Sequence, residues 1–460
     1  MSALAGIGRL ARWFVRRLLH FYYPRIEIEG MERLQANGAV LFVANHPNSL
    51  MDPVLIGFVA RRPVHFFAKA PLFDVPVFGA LMRALGMVPA YRGVDDKAQV
   101  RRNLESLDAG AAHLRRGEVV GIFPEGKSHD REGVEQVRTG AARIAWQAVQ
   151  GDAAVTIVPL GLNYERKERF RSAVWVRVGE PMDGGAWFRM RGEEERKAVR
   201  SLTEEIDQRL KKAVVHLNEE RWQPFLPELE VLLPPTGEDA RNPIAALHQR
   251  KRLADAMNFF LATHRPRAEA VATAIERHRV RLAAAALSMD SPVLRLGMAR
   301  LTWRLIKDTF RLLLGLAPAI AGTLHHLVPF AATRAIVRCV KLPGRATVAL
   351  NRLLIGLPVY ALWYALVWWL LASQTRAWCA SLWTALMPFA GVAALHYAWY
   401  MRHAGHAWWH EIKMLLHPVQ LRRLRFEQAE LRRRLQHLRE EYHENQTSIS
   451  AAVKAVETPA

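Results

Sequence analysis

A histidine and an aspartate six positions apart open the chemistry available to this chain, in Asn45-His46-Pro47-Asn48-Ser49-Leu50-Met51-Asp52-Pro53. An imidazole works as a base when one ring nitrogen is held in a fixed tautomer and the other faces the proton to be taken. A carboxylate supplies that hold and stabilises the imidazolium as it forms. No Gly-x-Ser-x-Gly elbow occurs, so no serine is presented as a nucleophile. His46 is left to activate a hydroxyl of the substrate itself. Taken alone, a loop histidine of this kind more often has a structural role. Further groups change that weighting. Lys69-Ala-Pro-Leu-Phe follows one apolar run, Tyr91-Arg92-Gly93 another, and Phe123-Pro124-Glu125-Gly126-Lys127-Ser128-His129-Asp130 a third; Arg138-Thr139-Gly140-Ala141-Ala142-Arg143 then opens a helix. Cations at strand ends can pair a phosphate. Glycine lets backbone N–H groups approach an anion. Glu125 can hold a hydroxyl-bearing acceptor by accepting its hydrogen bond. The plain alternatives are surface salt bridges for Lys69 and Arg92 and a simple turn at Pro124-Glu125-Gly126.

The order of the blocks is more specific than any one of them. NHPNSLMDP, KAPLFDVPVFGALMRALGMVPAYR, FPEGKSHD, RTGAARIA and IVPLGLNY together resemble the glycerolipid acyltransferases, the superfamily of glycerol-3-phosphate and 1-acylglycerol-3-phosphate acyltransferases. Within it the chain looks most like the glycerol-3-phosphate/dihydroxyacetone-phosphate acyltransferases of fungal type and their bacterial relatives. The resemblance implies His46 as general base and Asp52 as the group that orients it. It implies acyl-CoA or acyl-carrier protein as donor, with no cofactor, no metal and no covalent enzyme intermediate. Arg92 would bind the acceptor phosphate, and Glu125 with Gly126 would position the glycerol backbone. Lys69 and Arg138 would be phosphate or donor contacts. Lys127, which departs from the family pattern, would add a further phosphate ligand, and Pro159 belongs to the block that shapes the acyl site. The expected acceptor is glycerol 3-phosphate, with lysophosphatidate or dihydroxyacetone phosphate as the alternatives. Two departures stand out. Five residues, Pro47–Met51, separate His46 from Asp52, one more than the commonest family spacing. Lys127 and His129 stand where many members carry a Thr-Arg-Ser run.

These side chains need a scaffold. Ala39–Ala44, Val64–Ala68, Val119–Phe123 and Val155–Leu160 are short β-rich apolar runs bounded by turn residues, and read as buried strands. Ala98–Arg116, Gly140–Val149 and Leu202–Leu217 read as helices. The expected fold class is α/β: a mixed sheet flanked by helices, of glycerolipid acyltransferase type, followed by a helical region with a transmembrane hairpin. The expected organisation is an amphipathic membrane-surface helix over 1–22, an acyltransferase domain over 23–218 and a proline-rich linker over 219–243. A helical region over 244–345 follows, with a re-entrant or interfacial segment at Leu312–Thr333. Then come the hairpin over 346–402, juxtamembrane and amphipathic tail helices over 403–445, and a disordered tail over 446–460.

Composition bounds the partners. The 460 residues are 51% hydrophobic and 23% charged, which excludes a wholly disordered chain. Lys and Arg number 64 against 43 Asp and Glu, an excess that favours anionic partners. A phosphorylated acceptor and an anionic bilayer are expected. Nucleic acid is not, because the basic residues are scattered rather than gathered on one face. Two cysteines exclude a disulfide framework. The arginines at positions 9, 12, 16 and 17 interrupt the first apolar stretch, which excludes a clean secretion signal. Leu4, Ile7, Ala11, Phe14, Leu18 and Phe21 line one face of a helix, either lying on a leaflet or docked on its own domain. Leu353–Ala372 and Ala377–Tyr400 lack Asp, Glu, Lys and Arg, and each is long enough to cross ~30 Å of hydrocarbon. Basic residues flank the pair and only Arg376 sits in its turn, so the expected location is integral to the membrane with the catalytic domain on the cytoplasmic face. His403, His406 and His410 share a helix face, but no cysteine or acid cluster completes a metal shell. The stripe Leu421, Leu424, Gln428, Leu431, Leu435, Leu438 and Tyr442 allows an oligomer through the tail helix. A catalytically silent membrane-shaping protein is the competing class.

Overall fold

The computed structural model describes residues 17, 19–34, 37–49, 51–75, 78–84, 86–91, 97–169, 171–192, 194–235, 239, 242–339, 348–402 and 406–457. They form two compact units, Met1–Ala268 and Glu269–Ala460. In the first, β1 (Arg25–Glu29), β2 (Ala39–Ala44), α1 (Met51–Ala60), β3 (Val64–Lys69), α2 (Phe78–Ala84), β4 (Val88–Ala90), α3 (Lys97–Arg115) and β5 (Val119–Ile122) come in that order. Then follow α4 (Gly140–Gln150), β6 (Val155–Tyr164), β7 (Ala173–Val178), β8 (Met182–Asp183), α5 (Gly184–Arg191) and α6 (Glu195–Ala213). The strands form one sheet in the order β1-β7-β6-β2-β5-β3-β4, with β8 on β6. β6 runs antiparallel to β7 and β8, and the other pairs are parallel. The sheet is therefore mixed, as the sequence predicts.

β2 sits between β5 and β6 and is buried along its whole length. That is why it reads as a continuous apolar run rather than an alternating one. Leu41 and Val43 face Ala111 and Leu114 of α3, Ile144 of α4 and Leu202 and Ile206 of α6. Val40, Phe42 and Ala44 face Leu55, Ile56 and Val59 of α1. Most of the amphipathic 1–22 segment lies outside the described residues; Leu19, which is described, is buried in this second cluster.

The stretch expected to be a linker is folded. Trp222, Leu226, Leu229, Leu232 and Leu233 are buried, and α7 (Leu226–Leu232) and α8 (Pro243–Thr263) continue the unit. Two of the five prolines start helices here: Pro227 lies in the first turn of α7. Pro243 opens α8, where Asn242 caps the helix by accepting the Ile244 N–H at 3.1 Å. Proline lacks an N–H that a first turn would leave unpaired anyway.

α9 (Arg265–Ala284) leads into the second unit, with α10 (Pro292–Arg295), α11 (Met298–Cys339), α12 (Val348–Gln374), α13 (Ala377–Tyr400), α14 (His406–Leu415) and α15 (Pro418–Glu457). Among the described residues three helices are long and apolar enough to cross a membrane: α12 and α13, as the sequence predicts, and α11 in addition. Leu312–Thr333 is one uninterrupted part of α11 despite Pro318 and Pro329, a tolerance common where neighbouring helices cover the backbone. At Gly322 a Cβ would lie 2.0 Å from the Ala390 carbonyl oxygen, so the small residue permits close helix contact. Leu313, Leu324, Leu362, Trp369, Phe389 and Leu395 are exposed, an apolar exterior suited to hydrocarbon rather than water.

One tail expectation is corrected and another is narrowed. The chain stays helical through Glu457, past the point where disorder is expected, because no Gly or further Pro interrupts 419–457. The stripe Leu421, Leu424, Gln428, Leu431 and Leu435 is buried within the chain. Arg425 donates to the Val293 and Leu296 carbonyls, and Gln428 to that of Met289. That part of the stripe is therefore covered by its own chain rather than left for a second copy.

His216 ties three pieces of the first unit. Its Nδ1 accepts the Val134 N–H at 3.2 Å, and its carbonyl accepts from Asn258 of α8 at 2.8 Å. Burial, then the charge of Lys211, lowers its pKa to about 4. The unfolded chain therefore binds a proton between about pH 6.5 and 4 that the folded chain refuses, and stability is lost as pH falls through that window. The full effect is roughly 3 kcal/mol. His216→Asn keeps an acceptor without titrating. The melting temperature of the detergent-solubilised variant should fall less between pH 7 and pH 4.5 than that of the parent; parallel curves would refute the assignment.

Candidate active site

β2 delivers His46 to the carboxyl end of the sheet, where loops of α/β folds commonly bind ligands. Asn45 fixes the exit. Its amide donates to the Leu162 carbonyl at 3.1 Å, and its Oδ1 accepts the Leu162 N–H at 2.8 Å. This imitates one more rung of the β2–β6 ladder. The chain then turns: the Asn48 carbonyl accepts the Met51 N–H at 2.9 Å, Ser49 takes a φ of 38°, and Asp52 lands in the first turn of α1. The extra residue between His46 and Asp52 does not separate them. His46 Nδ1 lies 2.8 Å from Asp52 Oδ2.

Asp52 is fully buried, yet its oxygens are well supplied. Oδ2 also accepts the Asn48 N–H at 2.7 Å, and Oδ1 accepts the Tyr164 hydroxyl at 2.6 Å. Three donors around one carboxyl suit the anion, so Nδ1 carries the proton and donates. Nε2 is then the basic nitrogen. Burial pushes the Asp52 carboxyl above its ordinary value, against His46, Tyr164 and Asn48, which pull it down. Burial and then the Asp52 charge push the Tyr164 hydroxyl well up, so it remains a donor. The imidazole keeps 18% of its side-chain surface exposed and stacks on Phe123 at 3.9 Å and 11°. An aromatic face favours an imidazolium. The chemical capacity is that of an oriented base with one open nitrogen.

Glu125 is placed differently from expectation. Its side chain is fully buried and both oxygens are used inside the protein. Oε2 accepts the His46 N–H at 3.1 Å and the His129 Nε2 at 2.9 Å, and Oε1 accepts the Glu135 N–H at 3.1 Å. It braces the His46 loop against the loop after β5, and no oxygen is left over for an acceptor hydroxyl. Burial lowers the His129 pKa, but the hydrogen bond and charge of Glu125 outweigh it and the net direction is up. Gly126, with φ 76°, supplies the turn after the brace.

Of the other expected residues, Lys127 pairs with Glu135 at 3.0 Å and is half exposed. Arg138 is exposed at the start of α4, its backbone N–H on the Pro124 carbonyl at 2.9 Å and its side chain along Gly126. Lys69 is exposed at the end of β3. β2, β3 and β5 are parallel, so His46, Lys69 and the Glu125–Lys127 loop share one sheet edge. Arg92 lies outside the described residues, as do His403 and the side chain of His406.

Sequence reasoning missed Asn45, Asn48, Tyr164 and Lys167. Lys167 Nζ donates to the Pro47 and His129 carbonyls, both at 3.1 Å, and to Asp130 at 3.0 Å, locking the two loops together. Asn48 and Tyr164 sit inside the quoted blocks, so position was visible but role was not. Behind this wall lies a cavity of about 210 Å³, lined by Asn45, Pro47, Lys167 and Arg250 among others but not by the imidazole.

The brace predicts a stability effect that a substrate contact would not produce. Glu125→Gln replaces an acceptor of three donors with a group that must itself donate. Melting of the substrate-free protein should show a loss of about 2 kcal/mol; an unchanged melting temperature would return Glu125 to the substrate side.

Residues 25–163 match the family model described as Acyltransferase. Glycerol-3-phosphate O-acyltransferase 2 of Saccharomyces cerevisiae is 36% identical over 107 residues, 23% of this chain and 14% of the relative. Human 1-acyl-sn-glycerol-3-phosphate acyltransferase beta is 28% identical over 166 residues, 36% of this chain and 58% of the relative. The chain thus spans less than two thirds of either protein. The crystal structure of the 1-acyl-sn-glycerophosphate acyltransferase of Thermotoga maritima matches at 22% identity and a TM-score of 0.34, covering 45% of this chain and 79% of that one. The family match runs from β1 to within one residue of the end of β6 and encloses both His46 and Asp52: residues 25–163 carry a domain that matches the Acyltransferase family and is similar to the glycerolipid acyltransferases.

Proposed function

We propose that this protein is a membrane-bound O-acyltransferase that moves a fatty acyl group from acyl-CoA or acyl-carrier protein to glycerol 3-phosphate. The observation that carries the reading is the 2.8 Å bond from His46 Nδ1 to a fully buried Asp52, inside a domain matching the Acyltransferase family. In the reaction, His46 Nε2 takes the proton of the acceptor hydroxyl as its oxygen attacks the thioester carbonyl carbon. The carbonyl π electrons move to oxygen and return as the C–S bond breaks. The thiolate leaves and takes the proton from the imidazolium, so the products are an ester and a free thiol. Asp52 offsets the imidazolium charge, and the Phe123 face supports it. No enzyme atom becomes acylated.

Arg138, Lys127 and Lys69 are proposed to contribute positive charge for the acceptor phosphate or the donor, with Arg92 as a further phosphate ligand. Glu125 and Gly126 act through the loop they shape. The yeast relative's name favours glycerol 3-phosphate as acceptor and the human relative's name lysophosphatidate; dihydroxyacetone phosphate is a third acceptor in the same reaction. The α12–α13 hairpin, with Arg376 alone as a basic residue in its turn, supports placing its basic flanks on the cytoplasmic side; placing the catalytic domain there as well requires that α11, although long and apolar enough, does not cross.

His46→Ala should lower kcat by about 10³-fold, the usual scale for losing a general base, without loss of fold by circular dichroism. Retained turnover would refute the mechanism. One labelled acyl-CoA offered with glycerol 3-phosphate, dihydroxyacetone phosphate and 1-acylglycerol 3-phosphate should give the most product with the first. Arg196 is exposed on α6. In a background with Cys339 and Cys379 replaced by Ser, Arg196→Cys should react with an impermeant thiol reagent only after cell lysis; labelling of intact cells would overturn the cytoplasmic placement.

A further inference from the structure

The sheet edge opposite His46 gathers a second set of chemically capable side chains. His65 is the second residue of β3, Glu118 immediately precedes β5, and His113 lies in the last turn of α3. His113 and Glu118 lie five residues apart, but His65 comes from a distant strand, so sequence reading offers no metal there. We propose that His65, His113 and Glu118 form a binding site for a divalent cation of the zinc class, separate from the acyl-transfer site.

One donor atom from each residue lies within 4.8 Å of the other two. The hydrogen bonds decide which nitrogens carry lone pairs. His65 Nδ1 is 2.8 Å from the Gly86 carbonyl oxygen; a carbonyl only accepts, so Nδ1 holds the proton. In the neutral ring, Nε2 then points a lone pair at Glu118 Oε2, 3.5 Å away. Two acceptors face each other with no proton between them. His113 Nδ1 is 2.6 Å from the same Oε2 and 2.8 Å from Arg116 Nη2. A guanidinium only donates, so one nitrogen cannot serve both neighbours as a proton donor. With Nδ1 accepting from Arg116, three lone-pair atoms converge on one point, and the cation that answers them is Arg116. Arg116 also reaches Glu118 at 3.1 and 3.3 Å. Its side chain is 53% exposed, so it can swing into water and leave the place to a metal.

The donor set selects the class of ion. Two imidazole nitrogens and one carboxylate oxygen suit zinc, cobalt or nickel rather than magnesium or calcium, which prefer oxygen alone. Zinc bonds of about 2.0–2.2 Å with tetrahedral angles ask for donor separations of about 3.3 Å, and the observed 2.6 and 3.5 Å bracket that. The two rings stack at 3.9 Å and 23°, so they must swing apart slightly on binding. The Gly86 carbonyl completes the arrangement, because metal-bound histidines characteristically donate their other N–H to such an acceptor. A Cβ at Gly86 would meet His65 Nδ1 at 2.6 Å, so glycine keeps that acceptor close. A metal here would tie β3, the end of α3 and the start of β5 together, which makes it a structural staple.

The test uses the full chain in detergent, stripped with chelator and titrated with Zn²⁺ and, separately, Co²⁺. The parent should bind one equivalent more Zn²⁺ than His113→Gln and should develop the visible absorption of tetrahedral Co²⁺. Glu118→Gln should weaken binding at least tenfold. Arg116→Ala keeps every ligand and removes the competing cation, so it should bind several-fold more tightly and does not depend on a ligand variant folding. Equal stoichiometry and affinity in the parent, His113→Gln and Glu118→Gln, or unchanged affinity in Arg116→Ala, would overturn the site.

Discussion

A carboxylate with no exposed surface is the constraint around which the His46 end of the sheet is built. Burying such a charge is costly unless every lone pair finds a donor. Asp52 finds three, from Asn48, Tyr164 and His46, and each comes from a different local structure. Tyr164 ends β6, Asn48 belongs to the turn before α1, and His46 hangs from β2. The same carboxylate therefore registers strand, turn and helix against one another and leaves the imidazole a single open nitrogen. The cost of desolvation is converted into orientation, the property a general base needs.

A second buried acid does the equivalent work one layer back. Glu125 joins the His46 backbone to His129 and Glu135, and Lys167 clamps the same two loops from the other side. Loops at a sheet edge are mobile unless their backbone groups are held. Here they are held by charged side chains turned inward, while Arg138 and the Glu135-paired Lys127 stay at the surface. The domain thus uses buried acids for rigidity, while the proposed recognition falls to exposed bases.

Much of this was legible in the sequence for plain reasons. Ala39–Ala44 lies between two parallel neighbours, so its run of apolar residues marks a strand without ambiguity. The edge strand β1 was missed because Arg25–Glu29 alternates charged and apolar residues; its neighbour β7 was overlooked although Ala173–Val178 is apolar at every position but Arg177. His46 and Asp52 were legible as a histidine and an acid just past a strand end, whereas the 2.8 Å contact between them is visible only in the fold. The inward turn of Glu125 was not, because a carboxylate in a turn reads the same whether it faces substrate or backbone amides; only the partners distinguish them. The Pro224–Pro243 stretch misled because prolines that begin helices and prolines that break them look alike until the caps are seen. The buried face of α15 was read correctly as a stripe, but a stripe does not name what covers it, and Val293 and Met289 were too far away in sequence to suggest themselves.

The most direct measurement is an experimental structure of the full chain with glycerol 3-phosphate bound. The expected result places an acceptor hydroxyl about 2.6–3.2 Å from His46 Nε2 while Nδ1 stays on Asp52. A hydroxyl bound by another side chain, with Nε2 turned away from it or Nδ1 released from Asp52, would contradict the role given to His46.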